Sequence, residues 1–467
     1  MLKLYIIAAL ALCLAIVAVL FGESPRKNVA SALRTGGFSN PGLFALAGTA
    51  STIGATMAVV ATLAQWDALL QEDYIMKELV QAVDNSTPFK DKLTRKGMTE
   101  GRRRVYAVKV GMSQGQGARA EGGTMPQYGA GEYQNVYVTS KYNYAPFKVT
   151  GQSLEFSTRA AFVEFGMQIL KDTKEGLNNF AGRQCWGDGS GKLALINNGA
   201  GYAATTVTVI VDSAYGVLWG SLATNTTYLF KRNMMIQFGL EDNGGVGYKV
   251  TGSTLTTITF TPGLANAIVD NAAIYTLGSK DQEIEGWLKL AGTSAFLTGE
   301  LGLANGIYHN IDRAAFAEWE GNVVNAAAAL SLANIRATRD ALFKRTNDEQ
   351  TNLGIASTEV MRDFEALLVA NQRFVPATQL KAGYSVLSHD DLGFTKDAKA
   401  PVKAMHFACT KEIAWAQTKD PHWLQDGNGI MRVVPGQDAF EALLKWYSNL
   451  DCSEPRRQAI LYNLTVV

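Results

Sequence analysis

Apolar residues recur at three- and four-residue steps over residues 65–84, through Trp66, Leu69, Leu70, Leu79, Val80 and Val83, which predicts an amphipathic helix. Asp67 falls in its first turn, where the helix dipole favours an acid. Asn85-Ser86-Thr87-Pro88 ends it, because the residue before a proline avoids the helical region. The period then changes to two. Val105–Val110 alternates as a strand, and residues 133–149 alternate through Val136, Val138, Tyr142, Tyr144 and Phe147. Between them lies SQGQGARAEGGTMPQYGAGE, rich in glycine and nearly free of large apolar groups. The pattern predicts one long hairpin over residues 102–151. Arms of about twenty-five residues would reach about 80 Å at about 3.3 Å per residue. An isolated two-stranded hairpin is marginal in water, so its valines and tyrosines need another surface. A limb with no core of its own points to a neighbouring subunit for that surface.

Helical spacing returns over residues 158–181, where Phe162, Phe165, Ile169, Thr173 and Leu177 trace one face. Residues 203–280 hold short strands, TTVTVIV, TNTTYLF, VGYKVTGSTLTTITFT and AAIYTL, between Asn/Gly turns. They predict a small antiparallel β module, a barrel or a sandwich. From residue 285 the chain reads as α/β. Ser331 can cap a helix to Arg345, a strand follows near Gly354–Ala356, and a second helix runs over residues 357–371 with Val360, Met361, Phe364, Leu367 and Leu368 on one side. Residues 402–408 and 413–417 are predicted strands. Phe440, Leu443, Leu444, Tyr447 and Leu450 mark a penultimate helix, and residues 459–466 a terminal apolar strand.

The first fifty-six residues differ from the rest. Leu4 to Phe21 carries no charge and reads literally as a short transmembrane helix or an uncleaved signal sequence. Arg26 and Lys27 outweigh Lys3, which would keep the remainder on the cytoplasmic side. Residues 28–56 are Gly/Ala/Ser-rich, carry only Arg34 and show no periodicity. Met57 then opens MAVVATLAQWDALLQEDYIMKELVQ, which has the character of the start of a soluble protein. The expectation is that the functional chain begins at Met57, with residues 1–56 an apolar leader or an upstream segment.

Composition narrows the function classes. The 467 residues carry 43 Lys and Arg against 42 Asp and Glu, and 47% are apolar. That balance excludes a disordered chain and a protein coated in basic charge for nucleic acid. With one long uncharged run, it also excludes a polytopic membrane protein. Cys13, Cys185, Cys409 and Cys452 are too scattered for a disulfide framework, and His309, His389, His406 and His422 are equally dispersed, so no zinc pattern exists.

Catalytic signatures are missing too. There is no G-x-S-x-G elbow, H-E-x-x-H or Walker lysine. Gly115-Gln116-Gly117-Ala118-Arg119-Ala120 imitates a dinucleotide fingerprint, but Gly122, Gly123 and Pro126 follow where a helix is needed. Trp186–Lys192 resembles a phosphate loop, yet it is one residue short and follows a helix, so it reads as a turn. His389-Asp390-Asp391 reads as a surface turn and Cys185 as a structural thiol, and Asp188 lacks the acidic spacing of a calcium loop. No enzyme activity, cofactor, metal or small-molecule substrate is therefore expected. Lys90 to Arg104 is basic, with Lys90, Lys92, Arg95, Lys96, Arg102, Arg103 and Arg104 against Asp91 and Glu100. It reads either as a contact for phosphate or an acidic neighbour, or as a solvated face.

The order of elements resembles the major capsid proteins of tailed bacteriophages. An N-terminal helical arm, a basic segment, a long glycine-tipped hairpin, a long helix and an α/β domain follow one another. The closing segment carries the same resemblance, through Phe394-Thr395-Lys396-Asp397-Ala398-Lys399-Ala400-Pro401, then Met405–Ile413, Trp423–Gly427, Asp438–Leu450, Pro455 and Ile460–Leu464. The resemblance covers residues 57–467. It implies an α+β tailed-phage capsid fold with an N-arm at 57–101, an extended loop at 102–151, and a peripheral domain at 152–202 carrying the spine helix. An inserted β module follows at 203–280, exposed on the surface, then an axial domain at 285–395 and a return to the peripheral domain at 396–467.

The same resemblance implies a structural subunit that self-assembles into pentamers and hexamers around double-stranded DNA. It would act with scaffolding, portal and decoration proteins, in a virion capsid assembled in the host bacterial cytoplasm. The expected assembly contacts are Arg102, Arg103, Arg104, Arg119, Glu121, Tyr133, Tyr142 and Tyr144. The tip from 113 to 132 holds no lysine, so the covalent crosslinking of some family members is not expected. Two rivals stay open: a membrane-anchored envelope protein with an extracytoplasmic β module, resting on residues 4–21, and an encapsulin-type compartment shell.

Overall fold

The computed structural model describes residues 88–99, 101–152, 159–220, 222, 225–346, 351–370, 378–379, 385–389, 392–424 and 430–466. All lie in the second of the two compact units of the chain, residues 60–467. The leader at 1–56, the helix expected over 65–84 and most of the N-arm expected at 57–101 fall outside the described residues.

Residues Ala439–Cys452 form one 14-residue strand, β22, and not the expected helix. The spacing of Phe440, Leu443, Leu444, Tyr447 and Leu450 is helical, but the buried side follows a period of two: Ala442, Leu444, Trp446, Ser448 and Leu450. Tertiary pairing decides between the two periods. Strand β4 (Lys141–Thr150) runs antiparallel to β22 along one side. On the other side β22 pairs with β19 (Ile413–Gln417), β20 (His422–Trp423) and β21 (Arg432–Val433), and β1 (Thr94–Gly97) adds parallel to β19. These six strands make the first sheet.

A second, seven-stranded sheet joins β13 (Asn322–Ala329), β23 (Ala459–Thr465), β18 (Met405–Ala408), β14 (Leu353–Ala356), β17 (Leu392–Lys396), β16 (Ser385–His389) and β15 (Thr378–Gln379), in that order. The strands of segment 396–467 are thus divided between the two sheets. Gly354 has no room for a side chain, since a Cβ there would meet Phe394 Cδ1 at 2.2 Å. Helices α2 (Leu332–Thr346) and α3 (Thr358–Ala370) cover this sheet, burying Ile335, Leu342, Val360 and Phe364 against Phe394, Phe407 and Leu461. Ser331 Oγ accepts from Asn334 N at 3.1 Å, the cap expected from the sequence.

The β module is a closed barrel of β5 (Lys192–Ile196), β6 (Thr208–Ala214), β7 (Met235–Phe238), β8 (Tyr248–Ser253), β9 (Thr257–Thr261) and β10 (Ala273–Thr276). It starts at Lys192, ahead of the expected residue 203, because β5 supplies the strand that lies between β10 and β6 and closes the ring. Closure leaves no free edge. Phe238, Tyr248 and Phe260 pack in its core, tilted or edge-on to one another, with ring centroids 5.1–5.5 Å apart. The long helix α1 (Arg159–Gln184) has 26 residues, and Asn143 and Gln184 bond each other to hold its end on β4. After it, Asp188 Oδ1 accepts from Ser190 N at 2.8 Å, which makes the glycine-rich loop the tight turn expected.

Phe89, from the one-turn helix Pro88–Asp91, is fully buried between Trp186 at 5.0 Å and Trp287 at 5.3 Å. Trp287 Nε1 donates to His406 Nδ1 at 3.0 Å, and burial pushes the His406 pKa down to about 3, so it stays neutral. Beside them Asp397 accepts from Trp186 Nε1 at 3.2 Å and from Lys399 N at 2.9 Å. Burial outweighs those bonds and pushes its pKa from 3.8 up to about 6. The folded chain therefore holds this proton more tightly than the unfolded chain. The stability Asp397 contributes is complete below pH 3.8 and is lost as pH rises through about 6. Asp397→Asn should abolish that loss. Urea unfolding from pH 4 to pH 7 is expected to favour the variant over wild type by about 2–3 kcal/mol more at pH 7; a difference that does not change with pH contradicts this.

Candidate assembly limb

Strands β2 (Arg103–Gly111) and β3 (Glu132–Thr139) form a two-stranded antiparallel sheet, paired from Arg103↔Thr139 to Gly111↔Glu132. The tip, residues 112–131, has no strand. The arms are therefore 9 and 8 residues long, not about twenty-five. They span about 30 Å at about 3.3 Å per residue. The period-two pattern does run on from β3 into β4, but the partner changes at Ser140. Upstream residues pair with β2 and downstream residues with β22. Alternation reports a strand and is silent on its partner.

The arms of the limb are also not without a core. Val138 near the base, Val136 and, at the tip end of β2, Val110 are buried among residues of the same chain, so the expectation of an unsupported limb applies only to the tip. A buried carboxylate secures the base. Asp451, at the end of β22, accepts from the Tyr106 hydroxyl at 2.6 Å and lies 3.0 Å from Arg104 Nε. Burial and the Asp451 charge push the Tyr106 phenol far above its ordinary pKa, so it remains a donor. Asn449 Nδ2 donates to Thr139 O at 2.9 Å, where β3 ends.

A second anchor lies beneath β3. Strands β11 (Ile307–Tyr308) and β12 (Ile311–Asp312) turn through His309 and Asn310, both with left-handed φ, of 48° and 74°. That turn presents His309 O to Tyr137 N at 3.3 Å. The His309 ring is enclosed, with Nε2 2.9 Å from Leu450 O and Nδ1 2.8 Å from Glu285 Oε2, the latter a close approach off the N–H axis. Lys289 holds the same carboxylate at 2.6 Å. Burial opposes the Glu285 charge, but His309 and Lys289 prevail and hold its pKa well below the carboxylate range.

The expected contact residues separate into three places. Arg102 and Arg103 are exposed at the base, Arg103 5.7 Å from the Tyr137 ring centre, whereas Arg104 is tied to Asp451. Arg119, Glu121 and Tyr133 lie on the outer limb; Arg119 donates to Thr124 O at 2.9 Å and to Ala118 O at 3.0 Å. Tyr142 and Tyr144 belong to β4, where their rings meet Tyr447 at 5.0 and 5.9 Å. Within the basic stretch, Arg95 pairs with Asp420. Sequence reasoning missed the tip's apolar side chains, Met112, Met125 and Tyr128, which are 66%, 85% and 105% exposed. It also missed Asp451, which lies in the buried run Ser448–Cys452 but has no local pattern that marks it. Among the described residues no cluster of His, Cys, Asp or Glu suits a metal, and no helix is long and apolar enough to cross a membrane.

No family model matches this chain, and no curated protein does. Solved structures do. The capsid asymmetric unit of cyanophage A-1(L) is 14% identical, over 85% of this chain and 99% of that one, with a TM-score of 0.51. The capsid of a native GTA particle is 9% identical over 87% and 99% of the two chains, with a TM-score of 0.45. An encapsulin complex from Synechococcus elongatus is 7% identical over 86% and 95%, with a TM-score of 0.37. The likeness to the cyanophage subunit establishes the fold. This chain is an α+β protein with the fold of tailed-phage capsid subunits, as the order of its elements led us to expect.

Asp451→Asn leaves the Arg104 guanidinium without its counter-charge. The expected loss is about 2–4 kcal/mol, toward the low end for a broken buried pair because Arg104 keeps some contact with water. Denaturant unfolding checks this, and a loss below about 0.5 kcal/mol contradicts it.

Proposed function

We propose that this chain is the structural subunit of an icosahedral phage or prophage capsid, self-assembling into pentamers and hexamers that enclose double-stranded DNA. One observation carries the reading: a limb packed on its own body along its arms ends in a tip whose large apolar side chains, Met112, Met125 and Tyr128, stay mostly exposed. Apolar groups held that far out are stable in water when another surface covers them. On a capsid fold, the surface at hand is a sister subunit. Stable contacts between proteins usually bury more than about 1,200 Å², and a limb laid across a neighbour adds area that a compact body cannot. Heterologous contacts of this kind close into rings, and rings into shells.

In this reading residues 57–101 are the N-arm, 102–151 the extended loop, 152–202 the peripheral domain with its spine helix α1, and 285–395 the axial domain. The barrel region at 203–280 is an outward insertion. The return segment at 396–467 serves both domains, since β19 and β22 lie in one sheet and β18 and β23 in the other. Scaffolding, portal and decoration proteins are its further partners, the virion its location and the host cytoplasm its place of assembly. No catalytic role is assigned.

Negative-stain microscopy of expressed residues 57–467 is expected to display capsomer rings and closed particles. A subunit that stays solitary at high concentration, or that sediments with membranes, contradicts the reading. Particles packed with protein would favour an encapsulin-type shell instead. Arg102 and Arg103 are proposed to face packaged DNA or an acidic neighbour. Reversing both, as Arg102→Glu with Arg103→Glu, should lower the yield of DNA-filled particles by at least about tenfold without changing the subunit's unfolding curve, because neither is buried. Normal virion yield would refute that assignment.

A further inference from the structure

We infer that the outward face of the six-stranded sheet binds single-stranded nucleic acid, with phosphates at Lys419 and Lys445 and bases on the rings of Tyr142 and Tyr144. The inference goes beyond the shell reading above, which needs no such surface.

Strand β22 buries Ala442, Leu444, Trp446 and Ser448 on one side, so Lys445 and Tyr447 lie on the other. Residues directly opposite in an antiparallel pair share a face. His422 of β20 is opposite Lys445, Lys445 is opposite Tyr144 of β4, and Tyr447 is opposite Tyr142. An imidazole, an ammonium and a phenol therefore cross three neighbouring strands in one row, with two more phenols beside them. Tyr447 meets the rings of Tyr142 and Tyr144 edge-on at 5.0 and 5.9 Å, and the Tyr144 hydroxyl donates to that of Tyr447 at 3.4 Å. Tyr142 and Tyr144 remain 48% and 50% exposed, so both keep ring surface free.

The charges around this row do not cancel. Both acids beside it already have cations. Asp420 is held by Arg95 and accepts from Gln417 Nε2 at 2.7 Å, and Glu441 pairs with Arg432 at 2.7 Å. Among the described residues Lys419 and Lys445 have no ion pair, and Lys445 Nζ lies 5.7 Å from the Tyr447 ring centre. A cavity of about 610 Å³ next to the row is lined by both lysines together with Asp420, His422 and Trp423. The face thus joins two uncompensated ammonium groups to accessible aromatic rings.

That combination selects the occupant. An acidic peptide meets the lysines alone, whereas a nucleic-acid strand brings negative charge and a flat ring with every nucleotide. The spacing of the rings selects a single strand. Tyr142 and Tyr144 are two residues apart on one face of β4, about 6.6 Å at about 3.3 Å per residue. Stacked bases repeat at about 3.4 Å along a strand. Successive bases reach both tyrosines only by leaving their stack, which a single strand allows and a duplex resists. Stacking on tyrosine is indifferent to base identity, so the surface reads charge and flatness and no particular sequence.

Fluorescence anisotropy of a labelled oligothymidylate of about twelve nucleotides, titrated with the full-length chain as separate subunits, tests this. The wild-type subunit should bind the strand at low salt. Lys445→Gln should weaken binding at least about fivefold and reduce the slope of log affinity against log salt by about 0.7, one phosphate contact. Tyr144→Leu should weaken binding about tenfold with the slope unchanged, because a stacked base carries no charge, and Tyr144→Phe should bind as wild type. No binding by the wild type overturns the inference. So does wild-type affinity in Tyr144→Leu, which would leave a phosphate contact alone. Oligoglutamate of equal charge that displaces the strand at equal concentration also overturns it and assigns the face to an acidic protein. Should Tyr144→Leu fail to fold, the Lys445→Gln slope and the oligoglutamate competition decide. Subunits that assemble but bind no strand sink this inference and leave the shell reading standing, and a chain that binds the strand but never assembles does the reverse.

Discussion

At Ser140 one uninterrupted strand pattern changes partner, and the rest of the molecule is arranged around that change. Downstream, β4 lies along β22; upstream, β3 pairs with β2 and, among the described strands, with no other. The limb keeps its direction because β22 extends past the junction, so that Asn449 holds Thr139 and Asp451 holds Arg104 and Tyr106. The charge on Asp451 is tolerated in the interior because a guanidinium and a phenol face it. An unpaired charge there would cost several kcal/mol. Beyond these anchored arms the tip leaves Met112, Met125 and Tyr128 mostly exposed.

The two sheets divide the remaining work. The six-stranded sheet, α1 and Phe89 build one packed unit, with Phe89 closing the gap between Trp186 and Trp287. The seven-stranded sheet carries α2 and α3 and ends in β13. Between α1 and the segment leading to β11, the barrel is inserted as a body with its own core, and the buried Arg183–Glu283 ion pair joins the end of α1 to the barrel exit. Each unit closes its own apolar interior. Among the described residues the limb tip keeps its large apolar side chains exposed.

Much of this was legible from residue order. Helices α2 and α3, strands β14, β19 and β23, and the barrel followed from periodicity and capping, because their local pattern and their tertiary role agree. Strand β22 was not legible. Phe440, Leu443, Leu444, Tyr447 and Leu450 carry a helical spacing over an alternating one, and only flanking strands choose between them. The limb was half legible for a related reason, since its strands follow from alternation but their partners do not. Asp451, Asn449 and His309 lie more than a hundred residues from the strands they anchor, so no local pattern announces them.

Electron cryomicroscopy of assembled particles tests the central claim most directly, because it locates the limb tip among the copies. The account predicts Met125 and Tyr128 buried against a second copy. Closed particles in which both side chains still face solvent would contradict it.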